Sequence, residues 1–177
     1  MKKNILAIVG SAGENSSNEQ LIGILAELSR DYFNISIFKD LKKLPHFDPF
    51  LSTENPPGEI IEVRNLIEKA DGIIICTPEY VFSIPAGLKN LIEWCVATTV
   101  FSNKPAGLIT ASADGQKGHE ELKLIMTTLM AGFNDHTTLL IRGIKSKFNE
   151  HGRLTDEKTQ HDLLVFLKEL KKLATPK

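Results

Sequence analysis

The feature that most constrains the fold is a series of five short apolar runs separated by longer amphipathic segments. In two of these runs, Ile5–Val9 and Ile73–Cys76, the apolar residues are consecutive and do not alternate with polar ones. This pattern is typical of strands that are covered by helices on both faces, as in parallel sheets. The sequence therefore predicts a parallel sheet of five strands: Lys3–Val9, Phe33–Phe38, Gly72–Thr77, Ala106–Ala111 and Thr137–Arg142.

The segments between these strands have the periodicity of helices. Their apolar residues recur every three or four positions, which gives each helix one apolar stripe that can pack on the sheet. The stripes begin at Leu21, Ile60, Leu88, Leu122 and Leu163.

Helix-start signals precede several of these stripes. Ser17 with Gln20 predicts a capping box, and Thr155 precedes two acidic residues of the last helix. Pro57 and Pro85 fit the first helical turn, where a missing amide donor costs nothing.

Alternating strands and helices in this number predict an α/β protein with a three-layer, doubly wound sheet. We expect the flavodoxin-like strand order 2-1-3-4-5. The chain has 177 residues, which is the size of one ordinary domain, so we expect a single domain over residues 1–177. The Pro-containing connection Lys39–Gly58 is expected to wrap the surface.

Composition excludes several functional classes. Hydrophobic residues make up 42% of the chain and charged residues 24%, which is typical of globular proteins and not of disordered chains or disulfide scaffolds. The formal net charge is -1, so neither a nucleic-acid partner nor the strongly acidic surface of an electron carrier is indicated.

The sequence also indicates a cytoplasmic protein without a membrane partner. Cys76 and Cys95 lie in apolar segments, and the N-terminal residues have neither the apolar length nor the cleavage site of a signal peptide. No run approaches the roughly 18 apolar residues of a membrane-spanning helix. The histidines show no ligand spacing with cysteine or carboxylate, so we expect no metal site.

A ligand is expected where the strand order reverses, at the loops after strands one, three and four. The first loop, Gly10–Asn18, offers small residues and hydroxyls at a helix N-terminus, which favours an anion such as a phosphate. It lacks the Walker and dinucleotide patterns, so a mononucleotide such as FMN remains. An ordinary capped turn is the alternative.

The other two loops carry a weaker signal. The second loop, Thr77–Asn90, contains two prolines, Tyr80 and Phe82, so it has a fixed shape and can border a flat ring. A rigid surface turn is the alternative. The third loop, Ser112–Gly118, contains a tight-turn signal at Asp114–Gly115.

These loops resemble those of a known family. The first loop matches the pattern G-S-x-R-x-x-S-x-N at Gly10, Ser11, Ser16 and Asn18. The longer pattern P-E-Y-N-x-S-x-P-G-x-L-K-N-x-I-[DE]-W is matched at Pro78, Glu79, Tyr80, Ser83, Pro85, Leu88, Lys89, Asn90, Ile92, Glu93 and Trp94. With Ser112, Ala113 and Gly118, the chain resembles the NADPH-dependent FMN reductase family, which includes azoreductases, quinone reductases and chromate reductases.

The resemblance implies a flavodoxin-like fold with FMN bound at the three loops. It implies that the phosphate is held by Ser11, Ser16, Ser17 and Asn18. It implies that the isoalloxazine ring contacts Pro78, Glu79, Tyr80, Val81, Phe82 and Ser112. The implied reaction is a ping-pong hydride transfer from NADPH or NADH to FMN and then to a small-molecule electron acceptor, such as a flavin, a quinone or an azo compound. The flavin carries this chemistry, so no catalytic side chain is expected.

The sequence departs from the family pattern at two positions. Gly13 replaces the arginine of the first loop, and Val81 replaces the asparagine of the second. The first change removes a bidentate phosphate ligand, so weaker FMN binding is expected. The second removes a polar side chain near the ring.

The resemblance also implies a homodimer, and it leaves a tetramer open. Trp94 lies off the apolar stripe of its helix, so we expect it to pack on a partner or to cover its own loop. Two other functions remain open at this point: a flavodoxin-type electron carrier, and a flavin-binding or regulatory protein without reductase activity.

Overall fold

The computed structural model describes residues 1–13 and 15–175, so Glu14 of the first loop and the last two residues lie outside it. The predicted sheet is confirmed: five parallel strands lie in the order β2-β1-β3-β4-β5. The strands are β1 (Lys3–Val9), β2 (Phe33–Phe38), β3 (Gly72–Thr77), β4 (Ala106–Ser112) and β5 (Thr138–Arg142). The helices are α1 (Ser17–Leu28), α2 (Pro49–Glu54), α3 (Gly58–Lys69), α4 (Ala86–Cys95), α5 (Gln116–Thr128) and α6 (Glu157–Leu173).

The sheet has a hydrophobic layer on each face, as the non-alternating runs predict. Every residue of β3 is buried. Ile74 and Cys76 pack with the apolar residues of α1 and α6, whereas Ile73 and Ile75 pack with those of α3, α4 and α5. The doubly wound, three-layer arrangement follows from this division. Within the described residues, no helix combines the length and apolar character needed to cross a bilayer.

Four of the predicted helix starts are shifted along the chain. The cap of α1 is Ser16 and not Ser17: its extended backbone places the hydroxyl to accept a hydrogen bond from the Glu19 amide at 3.2 Å. Likewise, α6 is capped by the Asp156 carboxylate, whose Oδ1 accepts from the Thr159 amide at 2.8 Å. Pro57 and Pro85 immediately precede their helices, because their extended ψ angles place them outside the first turn.

Trp94 belongs to the core of its own chain, so the expectation that it packs on a partner is wrong. Its side chain is 0% exposed, because the connection between β2 and α3 folds back over α4. The indole Nε1 donates to the Pro45 carbonyl at 2.8 Å, and the ring packs edge-to-face on Phe47 with centroids 5.5 Å apart. Trp94 therefore anchors this connection and gives no support to a dimer.

Arg64 of α3 fixes the same connection from the other side. Its guanidinium donates to the Trp94 carbonyl at the end of α4 and to the Ser52 hydroxyl of α2 at 2.8 Å. The connection expected to wrap the surface thus contains a short helix and packs against both α3 and α4.

We predict opposite effects of glycine-to-alanine changes at two positions. A Cβ at Gly107 of β4 would lie 3.0 Å from Cε2 of the buried Phe166 ring, so Gly107→Ala should lower the free energy of unfolding by about 1–3 kcal/mol. A Cβ at Gly23, on the exposed side of α1, would meet nothing within 4 Å. Gly23→Ala should therefore raise stability by about 0.5–1 kcal/mol. Urea unfolding measures both changes, and equal effects of the two variants would contradict this account of the packing.

Candidate functional site

The structure brings the three predicted loops together at the carboxyl edge of the sheet. They follow β1, β3 and β4, which are neighbours in the sheet. The chain passes from β1 to β2 on one side of β1 and then to β3 on its other side, so the strand order reverses beside the first loop. Such a reversal opens a crevice at the strand ends, where ligands bind in this class of fold.

The first loop leaves the sheet in close contact with β3. The Gly10 amide donates to the Cys76 carbonyl at 2.8 Å. A Cβ at Gly10 would lie 2.7 Å from the Cβ of Thr77, which real structures do not tolerate. Glycine is therefore required here, and it lets the loop pass directly over the end of the neighbouring strand.

The N-terminus of α1 faces this loop with amide donors that have no acceptor among the described residues. Because the Ser16 hydroxyl already serves the Glu19 amide, the amides of Ser17 and Asn18 are the first-turn donors that have no acceptor within the helix. The side chains of Ser11, Ser16 and Ser17 are partly exposed around them. Amide donors, hydroxyls and the positive end of the helix dipole together favour an anion.

The Asn18 side chain does not share this exposed position. It is 4% exposed, and its Nδ2 donates to the Ala111 carbonyl of β4 at 3.2 Å. Its Oδ1 accepts from the Sγ of Cys76 at 3.3 Å, and burial raises the pKa of this thiol, which keeps it protonated as a donor. The side chain thus ties α1 to β3 and β4, and Asn18 has only its backbone amide to offer a ligand in the first loop.

The second loop forms a tight turn that carries exposed apolar side chains. Tyr80 and Ser83 pair through two backbone hydrogen bonds of 2.9 and 3.1 Å, leaving Val81 and Phe82 at the tip. Both tip residues have positive φ angles, 51° and 59°, as in a type I′ turn. Their side chains are 93% and 75% exposed. The tip therefore places apolar surface beside the crevice, while Pro78 at the start of the loop is buried.

Two carboxylates hold the second loop against the beginning of α5. The Oε2 of Glu79 accepts from the Gly118 amide at 2.7 Å, near the positive end of that helix. The Oε2 of Glu121 accepts from the Ser83 hydroxyl at 2.6 Å and from the Ile84 amide at 3.0 Å. The Ser112 hydroxyl lies 3.5 Å from the Glu79 carbonyl. The second and third loops are thus joined into one rigid wall.

Sequence reasoning does not identify Glu121 as part of this site. The available signal is its spacing from Gly118, since residues three apart lie on the same face of a helix. This spacing does not reveal the contacts of Glu121, because its partners lie on a loop more than thirty residues earlier in the chain.

A cavity of about 560 Å³ adjoins the first loop on the side of β2. It is bordered by residues 9–13, by residues 39–43 after β2 and by Tyr80, and its far side is formed by Pro85, Ala86 and Gly87 at the start of α4. Residues 39–43 are not among the sequence-predicted site residues. The crevice therefore extends beyond the three predicted loops toward the edge strand.

We predict that Val81→Asn stabilises the protein by about 1 kcal/mol. A β-branched residue is strained at a φ of 51°, whereas asparagine tolerates the left-handed region. Because the Val81 side chain is almost fully exposed, replacing it loses no packing contacts. Thermal and urea unfolding measure the gain, with Val81→Thr as a control that keeps the β-branch and the strain. Equal stability of the two variants would show that the turn is not strained.

Comparison with known proteins places this site in a family. The family model for NADPH-dependent FMN reductases matches residues 3–142, which include all three loops. The chain is 30% identical over 160 residues to the NADH:(hydroxy)cinnamate reductase subunit CrdA of Vibrio ruber, covering 87% of this chain and 78% of that protein. It is also 30% identical over 168 residues to the NADH-dependent flavin reductase subunit 2 of Lactobacillus johnsonii, covering 89% of each.

A solved structure supports the fold. FerB, a flavoenzyme NAD(P)H:(acceptor) oxidoreductase from Paracoccus denitrificans, superposes with a TM-score of 0.78 over 97% of both chains at 23% identity. The family match, the strand order and the two loop motifs lead to one conclusion: the chain belongs to the NADPH-dependent FMN reductase family.

Proposed function

We propose that this protein is an FMN-dependent NAD(P)H oxidoreductase that delivers electrons to a small acceptor such as a flavin, a quinone or an azo compound. One observation supports this most strongly: the loops that carry the family motifs lie at one edge of the sheet, where the N-terminus of α1 presents amide donors. The named relatives include a flavin reductase from Lactobacillus johnsonii and an NAD(P)H:quinone oxidoreductase from Solanum tuberosum.

The residues at this edge fit FMN. The phosphate would accept hydrogen bonds from the hydroxyls of Ser11, Ser16 and Ser17 and from the backbone amides of Ser17 and Asn18. No Cβ obstructs the path of the loop at Gly10, where the backbone approaches β3.

The ring would lie against the wall formed by the second and third loops. Its proposed contacts are Pro78, Glu79, Tyr80, Val81, Phe82 and Ser112. When bound, FMN supplies the hydride chemistry that passes electrons from the reduced nicotinamide to the acceptor. The residues of the chain bind the flavin and orient its ring.

Glu79 and Glu121 contribute indirectly by holding the second loop on α5. Val81 and Phe82 offer an apolar surface at the rim that favours a flat aromatic ligand over water. We assign no side chain the role of general acid or base. Either NADH or NADPH can serve as the reductant in this proposal.

We further propose that the protein is a cytoplasmic homodimer. Both cysteines are buried and free, as expected in a reducing compartment. On α3, Ile61 and Leu66 border a shallow groove and remain 47% and 39% exposed. These side chains, and not Trp94, support an interface between two copies of the chain. Light scattering at micromolar concentration tests the dimer, because a measured mass equal to that of a single chain would exclude it.

The FMN site is tested by comparing FMN with riboflavin, which lacks the phosphate. We expect flavin-free protein to bind FMN at least tenfold more tightly than riboflavin, measured by flavin fluorescence or calorimetry, because charge-assisted phosphate contacts contribute about 1.5–3 kcal/mol. FMN-loaded protein should then oxidise NADH or NADPH directly, which an electron carrier of the flavodoxin type does not.

A matched pair of variants locates the phosphate. Ser17→Asp puts a carboxylate at the first position of α1, where it suits the helix dipole but repels a phosphate. It should weaken FMN binding about tenfold or more and leave riboflavin binding unchanged. Ser102→Asp makes the same charge change before β4, at the opposite edge of the sheet, and should affect neither ligand. Unchanged FMN affinity in Ser17→Asp would contradict the proposed phosphate position.

A further inference from the structure

The cavity beside the first loop has a lysine-rich wall that the family pattern does not describe. Gly13, which stands where the family pattern has an arginine, lines this cavity, and a Cβ built on it would meet nothing within 4 Å. The first loop thus leaves open space at the position where a cation is expected. The opposite wall of the same cavity, residues 39–43, carries three lysines.

Ion pairs distinguish these lysines. The Nζ of Lys39 lies 2.6 Å from Oε1 of Glu19, and the Nζ of Lys43 lies 3.1 Å from Oδ1 of Asp40. Glu19 and Asp40 both line the cavity, so each of these two cations is paired with an acidic residue of the same cavity. Within residues 1–13 and 15–175, the Lys42 ammonium has no carboxylate partner.

Lys42 therefore differs from the two neighbouring lysines. Among the described residues of the cavity, Glu19 pairs with Lys39 and Asp40 pairs with Lys43, whereas the unpaired ammonium of Lys42 faces the same space as the first loop. Lys42 is exposed, so it keeps its hydration and flexibility until an anion binds. Ser11, one of the proposed phosphate ligands, lines the same cavity as Lys42, so an anion that contacts the Ser11 hydroxyl would face this ammonium.

We propose that Lys42 supplies the cation for the FMN phosphate in place of the missing arginine. The phosphate charge is neutralised across the cavity, from the loop after β2, and not from within the first loop. Lys42 is then a cofactor-binding residue that selects phosphorylated over unphosphorylated flavin. This inference rests on the proposed function, because it requires FMN at the first loop.

The size of the effect follows from the exposure of Lys42. A lysine that meets a phosphate dianion at the surface is screened by water and salt, and it lacks the bidentate geometry of arginine. We expect Lys42→Met to weaken FMN binding roughly three- to tenfold, with riboflavin binding unchanged. The dependence of FMN affinity on NaCl concentration should also become less steep, because one charge has left the site.

The control is the double variant Asp40→Asn/Lys43→Met, which removes the neighbouring ion pair as a whole. Because it removes one positive and one negative charge together, it should change FMN affinity less than twofold. All the substituted side chains are exposed, so neither variant should alter the thermal unfolding midpoint. In the Lys42→Met background, Gly13→Arg should restore FMN affinity by returning a cation to the first loop.

The outcomes separate this inference from the proposed function. Selective loss of FMN affinity in Lys42→Met, with rescue by Gly13→Arg, supports it. Equal FMN affinity in wild type and Lys42→Met, with FMN still preferred over riboflavin, overturns the role of Lys42 and leaves the FMN site intact. If the wild-type protein binds FMN no more tightly than riboflavin, the phosphate site itself fails and the inference fails with it.

Discussion

The arrangement of the site depends on one buried side-chain amide. Asn18, at the start of α1, donates to the Ala111 carbonyl of β4 and accepts from the Cys76 thiol of β3. An amide that is 4% exposed requires such partners, because burying it without them costs a few kcal/mol. The first helix is thereby fixed to two neighbouring strands at the reversal of strand order, and the amide donors of its first turn are fixed with it.

Much of the fold could be predicted from the sequence, because its determinants are local. Non-alternating runs such as Ile73–Cys76 require helices on both faces, and alternating elements then allow few topologies. The start of α1 was predicted one residue too late, because adjacent serines can each cap a helix and only the backbone angles decide between them. Trp94 was misplaced because a helical stripe describes one packing surface, whereas this helix is also covered by the connection that carries Pro45 and Phe47.

The site was predictable only where a continuous motif encodes it. The first and second loops could be singled out from their residues, whereas Glu121 contacts, and Lys42 faces across a cavity, loops that are distant in sequence. Lys42 lies near the first loop because β1 and β2 pair in parallel, which places their carboxyl ends side by side. No spacing rule in the sequence predicts this proximity. Val81 shows the reverse case, since the structure explains the motif and not the departure from it: the position has a positive φ, which asparagine tolerates better than valine.

The central claim is that the N-terminus of α1 holds the phosphate of FMN while the second and third loops hold its ring. A crystal structure of the FMN complex tests it most directly. The account predicts phosphate oxygens within hydrogen-bond distance of the Ser16 hydroxyl and the amides of Ser17 and Asn18, with the ring against residues 78–82. A phosphate bound away from α1, or a ring lodged in the cavity beside residues 39–43, would contradict it.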